Sequence, residues 1–217
     1  MEGRKHSGVL FVLSGCKDPS MEKEWNDWYE KVHAPEIARP GVYSTWTRWE
    51  NVKPVLKPGE AKYMAVYETE RSDMQAGQAE QSKALSTLAP EKLKNGLTLV
   101  TVFGTYKQIS KYGEAKGKKT TGALAVLCNC KDPAQEEDFN KWYDEVHLVD
   151  IMKTGCYFTA NRYVATEAKP GLPKYLALYE TDWEDVVKAR QEMTARAGKM
   201  VISKALEAVL VGAFKKR

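Results

Sequence analysis

An internal duplication constrains this chain more than any other feature. Residues 8–49 align with residues 122–163 at a constant offset of 114 and without a gap, with 19 identities in 42 positions. Cys16, Lys17, Asp18 and Pro19 recur as Cys130, Lys131, Asp132 and Pro133, and Asn26, Trp28, Tyr29, Val32 and His33 recur as Asn140, Trp142, Tyr143, Val146 and His147. Two further blocks continue the match. Residues 62–69 pair with 174–181 at offset 112, and residues 102–107 with 210–215 at offset 108. The repeat therefore covers nearly the whole chain, and the stretch between its copies, 110–121, is rich in Lys and Gly and reads as an exposed linker. The sequence thus divides into a first repeat over 1–109, a linker over 110–121 and a second repeat over 122–217.

Each copy has the same order of elements. In the first, the apolar run 8–14 predicts a buried strand that ends at Gly15 and the Asp18–Pro19 turn. A helix follows, with Ser20 as its cap and Met21, Trp25, Trp28 and Val32 as its apolar stripe, and Pro40 and Gly41 stop it. Residues 42–49 alternate as a strand does, the segment around Pro54, Pro58 and Gly59 is a loop, and 62–69 is a third strand. A second helix over 73–88 and a fourth strand over 97–107 complete the unit. The order βαββαβ is that of a ferredoxin-like α+β unit, an antiparallel sheet with both helices on one face. Apolar and aromatic residues on both faces of the strands (Tyr43 and Trp49 against Val42 and Trp46) predict that the sheets of the two copies pack together.

The charge balance limits the partners. Thirty-three basic and 29 acidic residues leave +4 over 217 residues, too weak and too mixed a charge to predict nucleic acid or anionic lipid as the main partner. No segment approaches the roughly 20 apolar residues of a membrane span, and a cytoplasmic location is expected. Four cysteines are too few for a disulfide scaffold, and no histidine stands at metal-ligand spacing from Cys128 and Cys130, so neither disulfides nor a metal is expected.

The chemistry-bearing residues gather on the first helix of each copy. At about 100° per residue, Asn26, Tyr29 and His33 share the shoulder of the helix beside its apolar stripe. Asn140, Tyr143 and His147 repeat the arrangement, and the third histidine, His6, belongs to a flexible N-terminal segment. A histidine near a helix C-terminus gains from the dipole when charged, so its pKa is expected close to physiological pH, where proton transfer is efficient. The same residues also suit core packing and terminal capping. Arg48 and Arg162, matched on the second strand, are expected to pair with Glu68 and Glu180, with a substrate anion as the alternative partner. Tyr43, Tyr63 and Tyr67, with Tyr157, Tyr175 and Tyr179, supply hydroxyls to an aromatic lining or to the core.

The run from Trp25 through Tyr29 and His33 to Pro35, followed by Gly41, resembles the signature of EthD-like proteins in the dimeric α+β barrel superfamily. The resemblance implies two fused ferredoxin-like repeats that form the barrel within one chain, with a ligand pocket between sheet and helices in each half. A monomeric pseudo-dimer or a homodimer would satisfy it. It also implies a cofactor-free lyase, isomerase or cyclase acting on a small aromatic or polyketide-derived substrate. His33 and Tyr29, and by repetition His147 and Tyr143, would be the catalytic pair. Asn26, Tyr43, Trp46, Arg48, Tyr67, Asn140 and Arg162 would contact substrate. An oxygen-dependent cofactor-free monooxygenase, a non-catalytic small-molecule binder and a haem protein are the alternatives within the same resemblance. The second copy departs from the signature, with Leu148, Val149 and Asp150 in place of Ala34, Pro35 and Glu36, and Ala160 in place of Trp46.

Overall fold

A computed structural model describes residues 5–57 and 60–217; the Pro58–Gly59 loop position lies outside them. Eight strands form one closed barrel: β1 (Gly8–Cys16), β2 (Thr45–Asn51), β3 (Tyr63–Thr69), β4 (Thr98–Gly113), β5 (Gly122–Cys130), β6 (Thr159–Ala165), β7 (Tyr175–Thr181) and β8 (Leu206–Lys216). Around the barrel they run β1-β3-β2-β8-β5-β7-β6-β4, with β4 closing onto β1. The two halves are joined by hydrogen bonds as well as by packing. β4 pairs with β6 of the other half from Tyr106↔Ala165 to Gly113↔Thr159, and β8 pairs with β2 from Trp49↔Lys216 to Asn51↔Phe214. Residues 110–113, expected as linker, are the last residues of β4, because their backbone groups find partners on β6.

Strand alternation explains why both faces are apolar. Val9, Phe11 and Leu13 of β1 point into the barrel, where they meet Trp49, Met64, Val66 and Tyr106 of their own half and Leu127, Tyr163, Leu178 and Phe214 of the other. Leu10 and Val12 point outward beneath the first half's helices, with Tyr63, Ala65 and Tyr67 of β3 beside them. Each fully buried aliphatic or aromatic side chain contributes about 1.5–3 kcal/mol. The shared interior therefore holds the halves together.

The helices lie outside the barrel. The leading helix starts at Glu22–Trp28, passes through a π-helical turn at Tyr29–His33 and ends at Ala34–Ala38. Asp18, rather than Ser20, caps its entry, since the Asp18 carboxylate accepts from the Ser20 amide at 2.9 Å. Gly41 beyond its end has φ +78° and its twin Gly155 φ +70°, left-handed positions that glycine fills at least cost. The second helix of each half, Met74–Leu85 and Val186–Ala197, is capped by Asp73 and Asp185. The first of these stops short of the expected residue 88, and a separate helix, Pro90–Leu93, precedes β4. Strand β2 starts at Thr45, three residues after the expected 42. No helix among the described residues is long and apolar enough to cross a membrane.

His6, expected in a flexible segment, is buried. Its Nε2 lies 2.7 Å from the Tyr163 hydroxyl of the other half. It stacks on that ring, so it fastens the lead-in to β1 to the second half.

Candidate active site

The π-helical turn sets the orientation of the leading helix. The Ala34 amide donates to the Tyr29 carbonyl, five residues back, and Leu148 donates to Tyr143 in the same way. Such widened turns are frequent at functional sites. The buried face is centred on Trp25, Asn26, Tyr29 and Ala34, while Trp28 and Val32 are only half-buried. The stripe is displaced already within Glu22–Trp28, because Asn26 is turned to Tyr63 on the sheet and is buried there although it is polar.

Around that turn both halves repeat one set of contacts. His33 stacks on Trp28 with ring centres 4.9 Å apart and meets Tyr29 edge-on at 4.8 Å, and His147 does the same with Trp142 and Tyr143 at 4.9 Å each. Tyr67 donates to the Tyr29 hydroxyl, as Tyr179 does to Tyr143, both at 3.3 Å. Asn26 donates to Tyr63, and Asn140 to Tyr175, both at 2.9 Å. Burial raises the pKa of Tyr29 and, further, of Tyr67, so both phenols stay protonated and able to donate.

The histidine pKa differs from the expected value. Burial pulls His33 down to about 4, against a small opposing effect of the Lys92 carbonyl and with a further push from Arg48. Burial likewise lowers His147 to about 4. Desolvation overrides the helix dipole because the rings lie under neighbouring side chains. His33 is neutral at physiological pH. Its Nδ1 lies 3.4 Å from the Lys92 carbonyl, which can only accept, so the contact favours the proton on Nδ1 and the lone pair on Nε2.

The arginines also take other partners than expected. Arg48 pairs with Glu30 at 3.1 Å and Arg162 with Asp144 at 2.9 Å, rather than with Glu68 and Glu180. Strand alternation is the reason. Arg48 and Arg162 face the helices, where their guanidinium groups lie 4.2 Å from the Tyr29 ring centre and 4.0 Å from that of Tyr143. Glu68 and Glu180 have the parity of the inward-facing Val66 and Leu178. Arg162 also donates to Asn140 Oδ1 at 2.9 Å. In the first half, by contrast, Asn26 Oδ1 and the Nε and Nη2 of Arg48 are buried without a hydrogen-bond partner.

A cavity of about 570 Å³ opens beside His33. Leu10, Val12 and Tyr67 form its floor on the sheet, and Trp28, Tyr29, His33 and Ile37 its wall on the leading helix. Leu85, Leu93, Lys94, Asn95 and Gly96 close it from the segment before β4, and Val100 and Phe103 from β4 itself. Of the residues nominated from the sequence, His33, Tyr29 and Tyr67 line this cavity; Asn26, Tyr43, Trp46 and Arg48 do not. Asn26 is turned to Tyr63, and Tyr43 is buried against Tyr67. Trp46 and Arg48 border a separate polar cleft of about 290 Å³ with Glu30 and Arg217.

Sequence reasoning missed the closing segment. Its signal is the fall in repeat offset from 112 to 108, which marks four extra residues in the first copy. Those residues make room for the helix Pro90–Leu93, whose Glu91 carbonyl accepts from Trp28 Nε1 at 3.0 Å and whose Lys92 carbonyl faces His33. In the second half Trp142 finds the Val201 carbonyl at 2.9 Å, whereas His147 Nδ1 is buried without a partner. Met193 and Met200 fill in against the second half's cluster.

No protein-family model matches the sequence, and no curated protein matches it. Solved structures do match it in shape. A variant of the chlorite dismutase of Candidatus Nitrospira defluvii is 9% identical, with a TM-score of 0.58 over 98% of this chain and 93% of that one. An anthrone oxidase-like protein is 11% identical, with a TM-score of 0.50 over 100% of this chain and 93% of that one. Identities this low carry the architecture and not the reaction. The closed eight-stranded ring, the duplicated βαββαβ order and these matches together give the chain the dimeric α+β barrel fold, both halves of the barrel being supplied by one polypeptide.

Proposed function

We propose that the first-half cavity is the active site of a cofactor-free lyase, isomerase or cyclase that moves a proton on a small aromatic or polyketide-derived substrate. The observation that carries this reading is a neutral imidazole in an aromatic cavity, with Nδ1 turned to a carbonyl and Nε2 left as base, beside a phenol whose own proton is uncommitted. His33 would take a proton from a carbon next to a substrate carbonyl. Tyr29, which accepts from Tyr67, would donate its hydrogen bond to the enolate oxygen that forms. A conjugate acid with a pKa of about 4 returns its proton readily, which suits abstraction and redelivery within one substrate. The second half, which keeps the residues without the closing helix, would be a structural copy.

The test is a panel of enolisable aromatic carbonyl compounds, scored for product by mass spectrometry with the native protein and with His33→Gln. Proton-transfer catalysis predicts a rate loss of about 10²–10⁴-fold with the melting temperature little changed. Product formation untouched by the substitution would remove His33 from the mechanism. Ligand binding with no product from any compound would favour a non-catalytic binder.

The likeness to an anthrone oxidase-like protein favours one further reading, an oxygen-dependent monooxygenase using the same cavity. Oxygen uptake matched to turnover would select it. Were haem present in the purified protein, a Soret band would show it, and His33 Nε2 would be the available ligand atom.

A further inference from the structure

The charges in the cavity lining are all of one sign. Its lining contains two lysines, Lys17 and Lys94, and no carboxylate. Both lysines are exposed and therefore sit at the mouth. Lys17 donates to the Gly96 carbonyl at 3.1 Å, which sets its ammonium against the closing segment with further N–H groups to spare. Among the described residues neither lysine takes part in an ion pair, whereas Lys62 and Lys92 each hold a carboxylate. The deeper wall is apolar and aromatic. The repeat supplies a comparison: Lys17 has the counterpart Lys131, but Lys94 aligns at offset 108 with Ile202, in the half without the extra helix. The second cation arrives with the segment that closes the cavity.

We propose that this cavity takes a planar apolar anion, an aromatic carboxylate, phenolate or sulfonate, whose charged group rests between Lys17 and Lys94 while its ring packs against Trp28 and Tyr67. The inference rests on the reading of this cavity as a ligand site and adds the substrate's charge and orientation. Two cations at a half-enclosed mouth gain strength from the low-dielectric wall behind them and steer anions inward. The ring end brings a carbonyl or phenol oxygen toward Tyr29 and His33. A bound anion would also oppose the desolvation that keeps the imidazole neutral, making His33 a stronger base when substrate is present.

Fluorescence titration with anilinonaphthalene sulfonate and with its uncharged parent phenylnaphthylamine separates charge from ring. The native protein is expected to bind the sulfonate more tightly than the amine. Joint Lys17→Glu and Lys94→Glu substitution should weaken the sulfonate roughly tenfold and the amine less than about twofold, and Lys131→Glu should change neither. Leu85→Trp, which fills the cavity, should abolish both. Sulfonate binding no tighter than that of the amine, or unchanged by reversal of both lysines, overturns the proposal and leaves the cavity reading in place. Failure of both probes to bind, or binding that survives Leu85→Trp, overturns the cavity reading as well.

Discussion

His33 and His147 occupy matched places, each stacked on its tryptophan with ring planes 27° apart and each beside a tyrosine pair joined at 3.3 Å. They differ in what covers them. A short helix holds His33 by a carbonyl and encloses space, whereas the shorter segment of the second half leaves His147 Nδ1 unpartnered and lets Met193 and Met200 pack inward. The arginines differ in the opposite sense. Arg162 is bonded to both Asp144 and Asn140, while Arg48 keeps two nitrogens unsatisfied. The second half leaves fewer buried polar atoms unpaired, His147 Nδ1 and the Tyr157 hydroxyl among them. The other retains open volume and unpaired polar atoms, as functional sites do when they give up local stability. Duplication kept the frame and let the closing segment diverge.

The largest expected effect tests whether the halves have parted in function. His33→Gln should lower turnover by about 10²–10⁴-fold, and His147→Gln by less than about twofold, measured side by side on any substrate found. Equal losses would mean two active sites and would break the comparison.

Next in size are the arginines. Arg162→Met leaves Asn140 Oδ1 without its donor and Asp144 with that of Ser110, and should destabilise by about 2–3 kcal/mol, read from urea unfolding midpoints. Arg48→Met, which removes an already under-satisfied cation, should cost about 1–2 kcal/mol. A reversed order would contradict the reading of the second half as the better-paired one.

Acid stability follows from the two imidazoles. The unfolded chain takes up protons near pH 6.5, while the folded one refuses them until about 4. Their contribution is therefore fully present above 6.5, falls as pH drops from 6.5 to 4, and changes no further below that. The loss should be on the order of 1–2 kcal/mol per imidazole after partial solvent access is discounted. The His33→Gln, His147→Gln double variant should flatten this slope between urea titrations at pH 7 and 4.5.

The smallest effect sharpens the comparison. Gln81, twin of Met193, donates to the Ile37 carbonyl at 2.7 Å but leaves its own Oε1 buried and unpaired. Gln81→Met exchanges one loss for one relief and should shift stability by less than about 1 kcal/mol, measured as a melting temperature. A shift several times larger would show that the Ile37 contact holds the cavity wall in place.

Sequence and structure divided the determination of this protein along a physical line. Repetition, strand alternation and capping residues are local or periodic, so the βαββαβ order, the duplication and the placing of Tyr29 beside His33 on the leading helix were all legible in the chain. Contacts between distant residues were not. The pairing of β4 with β6, the burial of His6 against Tyr163, the turning of Arg48 away from Glu68 and the desolvation that lowers His33 each depend on groups far apart in sequence. The cavity itself depends on four extra residues whose effect appears only once they fold over the helix. Local chemistry chose the side chains, and tertiary packing decided which of them share an enclosed space, because burial and dielectric surroundings belong to the assembled molecule and not to any segment of it.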